Sequence, residues 1–330
     1  MTDALADILA RIRAAFPSMD ARAAAAEADF VARHGIDIYS RAEGTLPARL
    51  AACPDAPTAL FGMGSCRLDG PRNVAVVGTR RATAAGVAFC RRFVADLAER
   101  CPEAVIVSGL AYGIDIAAHR AALDAGIGTV AVVAHGLDTI YPAEHRDVAR
   151  RMVAGGAGAI VTEYPSGARV HRSNFLARNR IVAGLSSAVV VVESASHGGA
   201  LYTARLAGRY GRDLFAVPGR WSDTASAGCN SLIASGSARL ITSADELMAH
   251  MRWSAATTAT PAPPPALDFT ALEGTARAIV DYLRLHPDHT QADLVSSLGL
   301  PAGEVSARLT ELEMNDVLSI LPGGRFALNF

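Results

Sequence analysis

A parallel, doubly wound α/β sheet is the fold class that this sequence predicts, and three observations carry the prediction. Short apolar runs rich in valine and isoleucine recur from Asn73 to about His250, each the length of a strand buried on both faces. Segments of helical length, amphipathic or built of small residues, separate them. Polar, glycine-bearing turns follow the runs, at the edge where such a sheet binds its ligands.

Residues 1–72 read as a small helical amino-terminal region, alanine-rich and helical to His34, then loop-like through GTLPARL and CPDAPTALFGMG. The opening MTDALADILARIR alternates polar and apolar residues at helical spacing and lacks the continuous apolar core of a secretory signal. Candidate strands follow at Val74–Val77, Ala104–Ser108, Thr129–Ala134, Ala159–Thr162, Ala188–Glu193, Asp213–Val217 and Arg239–Ile241. They define a doubly wound, mostly parallel domain over residues 73–252. SAATTATPAPPPALD after Trp253 has no periodicity and reads as a Pro/Ala-rich linker over 253–268. Residues 269–330 then give helices at Ala271–His286, Gln291–Leu298 and Glu304–Asp316 and the apolar hairpin VLSILPGGRFAL, the order of a winged helix. Its third helix carries Glu304, Glu311, Glu313 and Asp316 against Arg308 alone. An acidic recognition helix repels a phosphate backbone, so a packing or protein-contact role is expected ahead of direct DNA reading.

Composition narrows the function classes. The chain has 330 residues, 51% hydrophobic, enough for roughly two or three domains with buried cores. A formal net charge of -1 excludes a general polyanion-coating protein but leaves room for one basic groove. The five cysteines (Cys53, Cys66, Cys90, Cys101, Cys229) are odd in number and never spaced as CxxC, which argues against a zinc site or a disulfide framework and for a reducing cytoplasm. All 31 basic residues are arginine, which removes Schiff-base and P-loop lysine chemistry. No apolar run reaches the length of a membrane span. No metal and no cofactor are expected.

The basic charge is local. From Gly167 to Arg220 stand Arg169, Arg172, Arg178, Arg180, Arg205, Arg209, Arg212 and Arg220 against Glu193 and Asp213. FLARNRIVAGLSS places Arg178, Asn179 and Arg180 just before an apolar run, and guanidinium groups present paired N–H donors to phosphate. Several turns should meet at one rim: GTRRAT with Gly78, Thr79, Arg80 and Arg81, SGLAYGID with Ser108 and Gly109, HGLDTIYP, TEYPSG, SASHGGA with Gly198 and Gly199, and PGR. Their glycines bring backbone N–H groups to helix amino termini, which favour anions, although glycine is also the ordinary residue of a strand-to-helix turn. GTRRATAAG lacks the second glycine of the dinucleotide fingerprint, so a nicotinamide or flavin dehydrogenase is disfavoured.

The ordered motifs resemble the DNA-processing protein A family (DprA, also called Smf). VVGTRRATAAG is similar to its VGxR turn, SGLAYGIDIAAH to its SGxAxGID-AH motif, GLDTIYPAEH to GxDxxYPxxN, TEYPSG to EYPxG and FLARNRIVAGLS to FxxRNRIIAGLS. GGALYTARLA, FAVPG and GCNSLIASGSARLI continue the match, which covers about Asp37 to Leu247. The resemblance implies an extended Rossmann-like domain, over residues 73–252, that binds and protects single-stranded DNA, forms a homodimer, and loads the recombinase RecA during natural transformation, without catalysis. Carried across by position, Arg80 is the VGxR arginine, Arg172 and Phe175 are the basic residue and the aromatic, and Arg178, Asn179 and Arg180 are the RNR trio. The arginines should grip phosphates, while Phe175 either stacks on a base or packs in the core. This chain departs from the family at His145, where asparagine is usual, and at His197 and Tyr202, where smaller residues are usual.

Two other functions compete. A nucleotide-processing enzyme of the LOG-like phosphoribohydrolase type would use Glu163 or Glu193 as its carboxylate, against the simpler pairing of those acids with Arg178 or Arg180. A winged-helix transcription regulator would read duplex DNA, which the acidic third helix opposes.

Overall fold

Period-two alternation in the strands sorts their side chains into two cores. The computed structural model describes residues 3–253, 274–286, 289–315, 317–321 and 323–328. Helices α1 (Asp3–Ala15) and α2 (Ala21–His34) precede β1 (Asp37–Ser40), a short α3 (Ala48–Ala51) and β2 (Ala59–Gly64). The chain then runs through β3 (Asn73–Gly78), α4 (Ala84–Arg100), β4 (Val105–Ser108), α5 (Ile114–Asp124), β5 (Gly128–Val132), α6 (Arg146–Ala154) and β6 (Gly158–Thr162). It continues through α7 (Arg172–Leu185), β7 (Ala188–Glu193), α8 (Gly199–Arg209), β8 (Asp213–Ala216), α9 (Ala227–Ala234), β9 (Arg239–Leu240) and α10 (Ala244–Met251).

The sheet order is β1-β2-β6-β5-β4-β3-β7-β8-β9. Every neighbour from β6 to β9 is parallel, while β2 lies antiparallel to β6 and β1 antiparallel to β2. The chain winds outward from β3 to β6, crosses back to β7 and winds outward again on the other side. The winding therefore reverses between β3 and β7, and in a doubly wound sheet the ligand crevice opens there.

Val74 and Val76 face α4, α5 and α10, packing with Phe93, Leu97, Ile114 and Leu247. Ala75 and Val77 face the opposite layer, packing with Ile181 and Leu185 of α7 and Ala204 of α8. Each large aliphatic or aromatic side chain buried in these layers contributes about 1.5–3 kcal/mol. The cysteines serve the same packing: burial pushes the Cys90 thiol up to about 12 and those of Cys66 and Cys229 up to about 11.

The amino-terminal segment differs from its sequence reading. Residues expected as loop form β1 and β2, which extend the sheet, and residues 1–256 make one compact unit. The expected break at residue 72 is thus not a break between compact units. Ala59, Leu60 and Phe61 are buried, and Phe61 stacks on Phe16 of the helical layer at 5.5 Å. What makes ALFGMG look like a loop is what lets it pair: a Cβ on Gly64, at φ 109°, would lie 2.3 Å from the Gly158 carbonyl oxygen of β6. Asp20 caps α2 through the Arg22 and Ala23 N–H groups, and α2 ends at Gly35 with φ 58°. From inside α2 the buried Glu27 accepts from the Ser166 backbone N–H at 2.8 Å, fixing the loop after β6.

The second unit contains α11 (Gly274–Leu285), β10 (His289–Thr290), α12 (Gln291–Leu298), α13 (Ala302–Met314), β11 (Leu318–Leu321) and β12 (Arg325–Leu328). Its strands pair in the order β10-β12-β11 around a core that includes Ile279, Leu283, Leu294, Val305, Leu309 and Phe326. This is the expected winged helix. A reciprocal capping box between Thr290 and Asp293 opens α12. On α13 the basic Arg308 is taken by Glu311, leaving that helix acidic. The linker expected over 253–268, apart from Trp253, lies outside the described residues, as do residues 271–273 and 316.

Candidate nucleic-acid interface

Outside the carboxyl ends of β3 and β7 lies a cleft of about 730 Å³. The loop after β3 supplies Gly78, Thr79, Arg80 and Arg81 to it. That loop is stapled at both ends. Thr79 donates its backbone N–H to the Glu193 carbonyl at 2.7 Å and accepts from Ile114 N–H at 3.3 Å. Thr83 donates its N–H and hydroxyl to the Glu193 carboxylate at 2.8 and 2.7 Å, and its Oγ1 also caps α4 by accepting from Gly86 N–H. Close approach explains Gly113, whose φ is 76° and whose Cβ, if present, would lie 2.1 Å from the Thr79 carbonyl oxygen.

With its base fixed, the loop holds the Arg80 guanidinium over the Phe175 ring, 5.1 Å from its centroid. Phe175 in turn meets Tyr141 at 5.8 Å with the planes tilted by 58°. Phe175 is half-buried, and Tyr141 is 48% exposed. An aromatic pair with open ring surface, backed by a cation, is a platform on which a base can stack. Arg81 and Arg172 also line the cleft and are exposed, with no carboxylate in ion-pair range among the described residues. From the β7 side come Gly198 and Gly199, where α8 begins with open N–H groups.

The RNR trio divides. Asn179 lines the cleft, donating Nδ2–H to the Gly199 carbonyl at 3.3 Å. Arg178 touches the cleft from beneath but is 4% exposed, and its Nη1 donates to the carbonyl oxygens of Gly109 and Val132. Asp115, also buried, accepts from Gly109 N–H at 3.2 Å. Burial pushes the Asp115 carboxyl up, and Arg178 pulls against that shift. Arg180 pairs with Glu163 and does not line the cleft. Burial raises Glu163 in opposition to Arg180. Nη1 of Arg178 is thus spent on internal carbonyls and Nη2 of Arg180 on a carboxylate, so neither guanidinium is as open to a phosphate as the sequence leads one to expect.

Ser108 and Gly109 also fall away from the cleft. Ser108 is buried and donates to the Val76 carbonyl at 2.7 Å, while Gly109 reaches only a small space beneath Tyr141 and Phe175. A Cβ on Gly109 would lie 2.4 Å from the Arg178 guanidinium nitrogens, so glycine here makes room for the buried cation. Helix phase, which the sequence contains, sorts these residues correctly. Arg172, Phe175, Leu176 and Asn179 are spaced i, i+3, i+4, i+7 and line the cleft, whereas Arg178 is in phase with the buried Ile181 and Leu185. Tyr141 is a site residue that sequence reasoning misses; its signal is an aromatic in a turn at the carboxyl edge.

Below the cleft the loop after β4 is held by histidines. His119 donates Nδ1–H to Thr129 Oγ1 at 2.8 Å, because that hydroxyl gives its own hydrogen to the Ile106 carbonyl, and Nε2 accepts from Leu110 N–H at 3.3 Å. Burial, reinforced by the charge of Arg178, pushes His119 down to about 3. His145 is buried with Nδ1 against the Leu110 carbonyl at 2.8 Å, a bond that an asparagine amide could also donate. That departure from the family pattern is structural. His197, by contrast, is exposed on the cleft, and Tyr202 carries Arg205 at 5.6 Å from its ring.

The chain matches the family model of the DNA recombination-mediator protein A over residues 37–252, and that of the DprA winged helix domain over 257–324. It is 48% identical over 203 residues to a putative DNA processing protein DprA of Mycobacterium tuberculosis, covering 61% of this chain and 51% of the relative, so it spans about half the length of that relative. It is 36% identical over 280 residues to protein Smf of Escherichia coli, covering 84% of this chain and 74% of the relative. The solved DNA processing protein A of Streptococcus pneumoniae superposes with a TM-score of 0.61 at 33% identity, over 75% of this chain and 93% of that one. A Helicobacter pylori structure described for its single-stranded DNA binding mode gives 0.58 at 32% identity, over 66% and 95%.

Proposed function

The chain belongs to the DNA recombination-mediator protein A family, and we propose that its cleft binds single-stranded DNA without sequence preference and delivers the strand to the recombinase RecA. The observation that carries the reading is Arg80 over Phe175 beside Tyr141, flanked by the unpaired Arg81 and Arg172. Phosphate charge and stacking dominate such a surface, and neither depends on base identity. The Helicobacter pylori relative is described as binding single-stranded DNA, and the family description names a mediator of recombination. A homodimer acting in the cytoplasm as a non-enzymatic loader completes the proposal.

The enzyme reading finds little support in the acids it needs. Glu193 is engaged by Thr83 and Glu163 by Arg180, so neither carboxylate is open to a substrate. The regulator reading needs a basic recognition helix, and α13 is acidic.

The test is fluorescence anisotropy of a labelled oligo-dT against a duplex of the same length, with wild type and Arg172→Ala. Single-strand preference that weakens in the variant is the expected result; absence of single-strand binding would overturn the reading. RecA delivery is checked by the rate at which RecA starts filaments on single strands coated with a single-strand binding protein. A homodimer should appear in sedimentation.

A further inference from the structure

On the far side of Arg80 and Arg81 lies a second groove, of about 320 Å³, between α4 and α5. Four exposed arginines line it: Arg80 and Arg81, shared with the cleft, Arg91 of α4 and Arg120 of α5. Ala82, Gly113 and Ala117 also line it, and such short side chains leave room for an extended backbone. Tyr112, 42% exposed, borders the same space and meets the small pocket beneath Tyr141 and Phe175.

The charges in this groove are unbalanced in a way that their neighbours are not. On the same helix α4, Arg92 pairs with Asp96 and Arg100 with Asp245. Arg81, Arg91 and Arg120 have no such partner among the described residues, and Arg80 has only the Phe175 ring. The acid beside Tyr112, Glu144, is engaged by the tyrosine hydroxyl at 2.9 Å. Cations gathered around one concavity repel each other and lower the free energy of a polyanion that enters.

We propose that a single strand held in the cleft continues over Arg80 into this groove, where Arg91 and Arg120 take its phosphates and Tyr112 stands at the crossing. The inference rests on the single-strand reading of the cleft and extends it from one site to a track. Because the two concavities share Arg80 and Arg81, a polymer with a charge at every unit passes from one to the other without a gap. An acidic protein segment would need no such continuity.

The experiment measures oligo-dT affinity of the full-length protein against salt, at several oligonucleotide lengths. With long oligo-dT, Arg91→Ala/Arg120→Ala should lower the slope of log K against log salt by about 1.4, two phosphates at roughly 0.7 each. With the shortest oligo-dT that wild type binds, the slope should not change. Arg91→Lys/Arg120→Lys should keep the wild-type slope at every length. An unchanged slope with long oligo-dT, or an equal drop at all lengths, overturns the track. Loss of labelled poly-glutamate binding with an unchanged long-oligo slope also overturns it, in favour of an acidic protein partner. Failure of wild type to bind oligo-dT at all would instead remove the cleft reading itself.

Discussion

Arg172 and Arg178 lie on one helix, less than two turns apart, and the structure gives them opposite work. Arg172 stands in solvent at the cleft without a carboxylate, while Arg178 is sealed beneath it with Gly109, Val132 and Asp115 around its guanidinium. The outer arginine has unspent donors and costs little to the fold. The inner one spends Nη1 on two carbonyls and thereby ties the ends of β4 and β5 to α7. The difference teaches that an arginine-rich motif is not uniform: burial decides which cations stand open at the cleft and which hold its floor together.

The largest test of that contrast is Arg178→Ala. Removing a buried cation leaves two carbonyls without donors and takes a favourable charge from the buried Asp115, and about 2–5 kcal/mol of stability should go in chemical denaturation. Arg172→Ala should change stability by less than about 0.5 kcal/mol. Equal stabilities for the two variants would erase the distinction. Phe175→Ala sharpens it from the other side: oligo-dT binding should weaken by about 1–3 kcal/mol in anisotropy, with a melting temperature near that of wild type.

Acid probes the inner layer alone. Above pH 6.5 His119 is neutral in both folded and unfolded chains and contributes no pH dependence. Below that, the unfolded chain takes a proton that the folded imidazole refuses until about pH 3, because it is buried and lies near the Arg178 charge. Stability is therefore lost as pH falls through that window, by roughly 2 kcal/mol from this group at pH 5. The fall in stability from pH 7 to 5 should be smaller by that amount in His119→Gln, and identical falls would remove the argument. A smaller loss than at Arg178 or His119 is expected at the rim's staple, where Thr83→Ala removes the cap of α4 and one bond to Glu193; about 1 kcal/mol should be lost in thermal denaturation.

Much of the molecule is legible from residues alone, for identifiable reasons. The parallel strands announce themselves because burial on both faces demands continuous valine and isoleucine, as in the unbroken run Val189–Val192. Arg80, Arg172 and Phe175 can be found because they stand at turns or helix starts on the ligand edge of such a sheet. The strand ALFGMG cannot, because Gly62 and Gly64 signal a loop to any local reading, and only the proximity of Tyr39 and Gly158 shows why they are there. Helix phase sets Arg178 with the buried Ile181 and Leu185, a distinction that residue type alone does not make.

The pairing of β2 with β6 also sets an order of events during synthesis. Phe61 sits opposite Thr162, so roughly a hundred residues must leave the ribosome before the first layer of the protein has its permanent neighbour. At about 5–20 residues per second, that is an interval of roughly 5–20 s. Through it the apolar side of Ala59–Gly64 has only α1, α2 and β1 for cover. The nascent chain thus carries an unfinished sheet edge early in its life, a natural point for a holding chaperone to engage.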